Sequence, residues 1–187
     1  MPIYSVDRRG FCKVGGTLDL MQESPLPGRR IVEFPNFMSA EAFVDNLSSL
    51  FPEGLSFHGW AYLSADLLIQ PQGYPVFAAY EPALEIIFEV MRRSKFAHAP
   101  SRFQSYFAWE TKEAAKEFAN GSPIYEVESE TCFRADQAWL RLGYQGAMTL
   151  LFAERYWSGV SSVTPRWEIL LTPPVHVLSR VEHGRAD

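Results

Sequence analysis

Residues 100–119 (PSRFQSYFAWETKEAAKEFA) restrict the possible fold more than any other stretch of this chain. Ser101, Arg102, Gln104 and Ser105 lead into Tyr106, Phe107, Ala108 and Trp109. That run is aromatic, brief and free of Gly and Pro, the pattern of a buried strand. Thr111 can then cap a helix in which Ala114, Ala115, Phe118 and Ala119 fall at helical spacing. A cationic, hydroxyl-bearing loop that feeds a core strand and then a helix can hold an anionic ligand. It is equally an ordinary α+β connection.

The flanking sequence mixes strand and helix signals without a βαβ rhythm. Ile3-Tyr4-Ser5-Val6 alternates, and Gly15-Gly16 precedes a second short extended piece at Thr17-Leu18-Asp19-Leu20. Residues 22–36 carry three prolines and a Gly and read as a loop. Ser39 caps a helix over 40–51, with Ala40, Phe43, Val44, Leu47 and Leu50 as its apolar stripe. Residues 70–77 are kept irregular by Pro71, Gly73 and Pro75. A helix over 82–94 opens on Pro82, buries Leu84, Ile87, Phe88 and Met91, and pairs Glu89 with Arg93 one turn on. Alternation predicts a strand over 124–130, and helices are expected over 135–142 and 147–157. Trp167 to Leu171 and residues 175–179 read as strands split by Pro173-Pro174. The tail, 183–187, reads as frayed. The whole is most simply a single α+β domain over 1–187.

Composition narrows the function. The chain is 47% hydrophobic with a net charge of −5 and no basic block, so tight electrostatic binding to nucleic acid is not implied, although a small basic site for one phosphate or a dinucleotide is compatible with it. Cys12 and Cys132 have no CxxC or His spacing. They read as free thiols in a reducing compartment, and no metal site is expected. The start of the sequence has no apolar core of signal-peptide length, and no run approaches the ~18 apolar residues of a membrane span. A cytoplasmic location is the expectation. A delivered effector without a recognisable signal would read the same way.

The candidate chemistry lies in four places. Glu168, in an apolar strand, shares a face with Leu170 by period two, while Trp167 and Ile169 share the other. It is either a strand carboxylate facing solvent or a lone carboxylate in a cleft. Arg102, with Ser101 and Ser105, suits a phosphate through its forked N–H groups, or else pairs with a carboxylate such as Glu168 or Asp7. Arg8 and Arg9 offer the same two roles. His58 sits in an aromatic cluster beside Gly59, whose missing side chain permits close backbone approach. No Ser-His-Asp order, P-loop, GxSxG or GxGxxG occurs, so hydrolase, kinase and Rossmann readings lack support.

Ile3 to Arg8, Pro100 to Ala108, Ile124 to Val127, Tyr156 to Gly159 and Trp167-Glu168 together resemble an uncharacterised bacterial domain family of unknown function. The order of these parts is similar to the ADP-ribosyltransferase fold, which implies split mixed or antiparallel sheets with flanking helices. The resemblance implies NAD as a substrate. It places the opening motif on Ser5 with Tyr4 and Arg8. The second motif falls on Ser105, Tyr106 and Phe107, with Tyr106 or Phe107 as the nicotinamide platform. Glu168 takes the position of the catalytic carboxylate. It further implies an acceptor, a protein rather than a nucleic acid given the net charge, and a toxin or effector role with a cognate inhibitor or delivery partner. The sequence departs from the resemblance at Ser5, where a His is expected. The alternative is a binding or interaction module on the same fold.

Overall fold

The structure is a computed structural model that describes residues 2–25, 39–65, 68–69, 76–77 and 80–181. Most of the loop expected over 22–36, most of the irregular stretch 70–77 and the tail lie outside those residues. Helices and strands alternate irregularly, and the α+β expectation holds. The strands are β1 (Ile3–Val6), β2 (Thr17–Leu18), β3 (Leu68–Ile69), β4 (Val76–Phe77), β5 (Tyr106–Trp109), β6 (Ile124–Glu128), β7 (Cys132–Asp136), β8 (Trp167–Leu171) and β9 (Val175–Val181). The helices are α1 (Ala40–Leu50), α2 (Phe57–Leu63), α3 (Tyr80–Lys95), α4 (Lys112–Ala119) and α5 (Gly146–Trp157). Among the described residues no helix is long and apolar enough to cross a membrane.

Seven strands form one antiparallel sheet in the order β2-β9-β6-β1-β5-β8-β7, and β3 and β4 pair separately. The expected division into two sheets is therefore replaced by a single sheet with a weak seam. At that seam β1 and β5 pair only through Tyr4 with Trp109 and Ser5 with Ala108. The connection from β8 to β9, Leu171 to Val175, spans at most about 14 Å. In a flat sheet those strands, with β6, β1 and β5 between them, would stand roughly 19 Å apart. The sheet consequently curls about the seam, and Ile169, Leu171, Val175, Val177, Val127 and Tyr125 meet in one buried cluster inside the curl. On the outer face, α3 and α5 pack Leu84, Phe88, Phe152, Tyr156 and Trp157 against Ala135 and Leu170. Helix α4 closes Ala115 and Ala119 over Tyr4, Trp109 and Ile124.

Local signals account for most helix starts. Ser39 accepts from the Ala42 N–H and Thr111 from the Ala114 N–H, both at 3.1 Å. Pro82 is the third residue of α3 rather than the first, which is tolerated because first-turn N–H groups have no intrahelical partner. Two elements differ in kind, and the first is β4, which takes Val76–Phe77 from the end of the stretch expected to be irregular. The helix expected over 135–142 is instead the end of β7 followed by a single 3-10 turn, Gln137–Trp139. Five residues of β7 pair with β8, and Asp136 accepts from the backbone N–H groups of Ala138, Ser162 and Arg166. Ladder pairing and that carboxylate override local helical propensity.

Candidate functional site

Arg102 is the hub of the site. It lies on the 3-10 turn Arg102–Gln104 before β5 and is only 4% exposed. Its Nε donates to Glu85 Oε2 at 2.7 Å and its Nη2 to Glu85 Oε1 at 3.0 Å, a forked pair from α3. Its Nη1 donates to Glu168 Oε1 at 2.5 Å and to the Tyr156 hydroxyl. Tyr156, from α5, donates to Glu168 Oε1 at 2.7 Å. Gln137 Nε2 reaches the other oxygen, Oε2, at 3.5 Å.

The physical chemistry of this cluster is that of buried charge. Burial alone would push the Glu85 carboxyl up, but Arg102 and then His58 hold it at about 2. Burial disfavours the charged guanidinium of Arg102, yet Glu168 and Glu85 together hold it well above its ordinary value. Burial raises the Tyr156 hydroxyl well above its ordinary value against the pull of Arg102, and Glu168 adds to the rise, so Tyr156 remains a donor. Glu85 and Glu168 thus share the single guanidinium of Arg102 beside an open space.

That space is a chamber of about 600 Å³ bounded by the end of β1, the following loop, α2, α3, β5 and β8. Its size suits a drug-sized or dinucleotide-fragment ligand. Asp7 shapes its rim. The Asp7 carboxylate accepts from the N–H groups of Arg9, Gly10, Phe11 and Cys12, winding residues 7–12 into a tight loop. Burial pushes this carboxyl up, but those four N–H groups bring it below its ordinary value. The loop presents Arg8 and Arg9 at the chamber mouth, Arg8 over the Phe118 ring at 4.1 Å and Arg9 over the Phe57 ring at 5.1 Å.

The residues singled out from sequence separate into two groups. Ser5, Arg8, His58, Arg102, Ser105, Tyr106, Phe107 and Glu168 all line the chamber. Glu168 lies 2% exposed on the same face as Leu170, as period two requires. Tyr4 does not reach it, being buried against Trp109, Ala115 and Ile124 under α4. Ser101 is turned away, donating to Glu89 Oε2 at 2.9 Å. The Ser105 hydroxyl is spent on the Ser101 carbonyl and that of Ser5 on the Phe107 carbonyl. Arg102 takes the carboxylate-pairing role, and the other arginines lining the chamber are Arg8, Arg9 and Arg166. Phe107 carries Arg102 at 4.7 Å over its ring. The Tyr106 hydroxyl donates to the Asp19 carbonyl.

Three members of the site escaped sequence reasoning. Glu85 reads as one of several glutamates complementing a helix dipole, and Tyr156 as core packing beside Trp157. Gln137 falls in the stretch expected to be helical. The available signal for Glu85 was its position on the face of α3 that carries Leu84 and Phe88, where a carboxylate needs a partner. Among the described residues no group of three His, Cys, Asp or Glu side chains is placed to hold a metal ion.

Residues 76–183 match the model of a family described as "Protein of unknown function (DUF2441)". The match covers more than half of the chain, which therefore belongs to that family. No curated protein matches the chain.

Proposed function

We propose that this member of the DUF2441 family binds NAD in the chamber and transfers the ADP-ribosyl group to an acceptor. The observation that carries the reading is the placement of Glu168. The three strands bearing the three motifs of the resemblance, β1, β5 and β8, lie side by side, and the last of them holds Glu168 in the chamber wall. Arg102 stacks over Phe107 and grips Glu168, so the aromatic platform and the carboxylate are held by one guanidinium.

In this reading Phe107 supports the nicotinamide ring, and Arg8 and Arg9 face the diphosphate. Glu168 Oε1 is anchored by Arg102 and Tyr156, which leaves Oε2, with only a long contact to Gln137, for a ribose hydroxyl. The glycosidic C–N bond breaks, its electron pair leaves with neutral nicotinamide, and a lone pair of the acceptor forms the new bond to the sugar carbon as the acceptor loses a proton. A fixed carboxylate beside the developing cation supplies the main stabilisation, because it needs no reorganisation during the reaction. The test is nicotinamide release from NAD, compared with Glu168→Gln, together with thermal unfolding in the presence of NAD. Release that the variant loses supports the reading. The absence of both nicotinamide release and a thermal shift overturns it.

A second reading, a module that binds NAD or a related ligand without turning it over, is favoured by Ser5. Its hydroxyl, at the position where the resemblance expects a His, is committed to the Phe107 carbonyl at 2.8 Å. This reading predicts a thermal shift with NAD and no nicotinamide release.

A further inference from the structure

We propose that His58 is the base that takes the proton of the acceptor in this chamber, with Glu85 as the residue that positions it; the proposal rests on the NAD reading. His58 is the second residue of α2. Ser56 caps that helix, accepting from the Gly59 N–H at 3.2 Å, and donates its own hydroxyl to the Phe103 carbonyl at 3.0 Å. Gly59 lies so close that a Cβ there would come 2.2 Å from the Phe103 oxygen. Helix α2 is thus locked onto the turn that carries Arg102, and the imidazole is delivered to the chamber wall between Tyr62, at 4.3 Å, and the edge of Phe107, at 4.8 Å.

The ring is held but not satisfied. Its Nε2 is buried 3.3 Å from Glu85 Oε1 and makes no hydrogen bond. Both oxygens of Glu85 already accept from Arg102. The carboxylate therefore orients the imidazole by charge and would stabilise its protonated form. The other groups facing it do not serve as bases near neutrality. Glu85 is held at about 2, and Tyr62, on the same helix, is pushed up by burial and then by Glu81 and Glu85. Arg102 remains protonated, and Glu168 Oε1 already accepts twice. Further round the wall, burial and the neighbouring acids Asp7 and Asp19 push Cys12 and Tyr106 to about 12. Imidazole is the side chain suited to proton exchange at neutral pH, and His58 is the histidine on this wall. As nicotinamide departs with the C–N electron pair, the acceptor lone pair bonds to the sugar carbon. The acceptor proton passes to the imidazole, and the imidazolium faces Glu85.

The experiment measures NAD cleavage with water as the acceptor, by nicotinamide release, in the wild type, His58→Asn and His58→Ala. The expected result is a thermal shift with NAD in every variant and a rate in His58→Asn lower by about 100-fold at neutral pH. The wild-type rate should rise between about pH 5 and 8, a rise missing in His58→Asn, and added imidazole should restore part of the rate of His58→Ala. A His58→Asn variant with the wild-type rate and pH profile overturns the proposal and leaves the NAD reading standing. If the variants do not fold, a wild-type rate flat across that pH range overturns it and a rising one supports it. A wild type that releases no nicotinamide overturns the proposal along with the enzyme reading.

Discussion

Arg102 Nη1 donates to Glu168 Oε1 at 2.5 Å across a sequence separation of 66 residues, tying the turn before β5 to the neighbouring strand β8. Both side chains are at most 5% exposed. A buried pair of this kind is weak evidence for net stability, but breaking it leaves charge stranded in a medium that cannot solvate it.

Arg102→Leu would leave Glu85 and Glu168 facing one another without their cation. Destabilisation of about 3–5 kcal/mol is expected, measured by urea unfolding at neutral pH. Arg102→Lys should recover only part of that loss, since an ammonium cannot reproduce the forked contact with Glu85.

Glu85 sets an acid limit. Its carboxyl stands at about 2 in the folded chain against an ordinary value of 4.5. As pH falls, the unfolded chain takes up the proton first. The contribution of this group is therefore complete above 4.5 and is lost between 4.5 and about 2, and it amounts to about 3 kcal/mol. Glu85→Gln should be less stable than the wild type at neutral pH and show a flatter stability profile across that window. Denaturant midpoints at a series of pH values check this.

Gly59→Ala places a methyl group against the Phe103 backbone oxygen, where no flexible side chain can yield. A loss of about 1–3 kcal/mol is expected from the overlap. Because α2 would have to lift from the Arg102 turn, the NAD-induced thermal shift should fall as well. Calorimetry with and without NAD reads both effects.

Asp7→Ala removes the acceptor of four backbone N–H groups. Stranding even one of them costs about 1–3 kcal/mol where it is buried. Amide hydrogen exchange at residues 9–12 should accelerate while the β6 amides remain protected, and a loop as protected as in the wild type would show that other contacts hold it.

Much of the local structure was legible in the sequence. The bounds of β1, β5 and β8 follow from alternation and aromatic content, and the caps at Ser39 and Thr111 follow from residue type alone. The placement of Glu168 on the Leu170 face needed only the two-residue period of a strand. Strand β7 was not legible, because its pairing with β8 joins residues from Cys132 with Leu171 to Asp136 with Trp167, far apart in the chain, which local propensity does not report. Helix α2 was not legible either, since its seven residues carry a glycine and several aromatics and are held chiefly by Ser56 and Phe103.

The sequence by itself determined which segments extend, which coil and which residues carry charge, since these depend on neighbours within a turn or a pleat. Glu89 and Arg93, one helical turn apart, could be paired from the sequence, but only the tertiary structure decided the partners of charges that meet across the fold. Arg102 reads equally well as a phosphate clamp or a carboxylate partner until the curl of the sheet and the packing of α3 bring Glu85 and Glu168 to its guanidinium. The free energy of a buried ion depends on what lies within a few ångströms in space, whatever the distance along the chain. The same folding turned residues 100–119 into one wall of a chamber, with Glu168 facing them from β8 and His58 from α2.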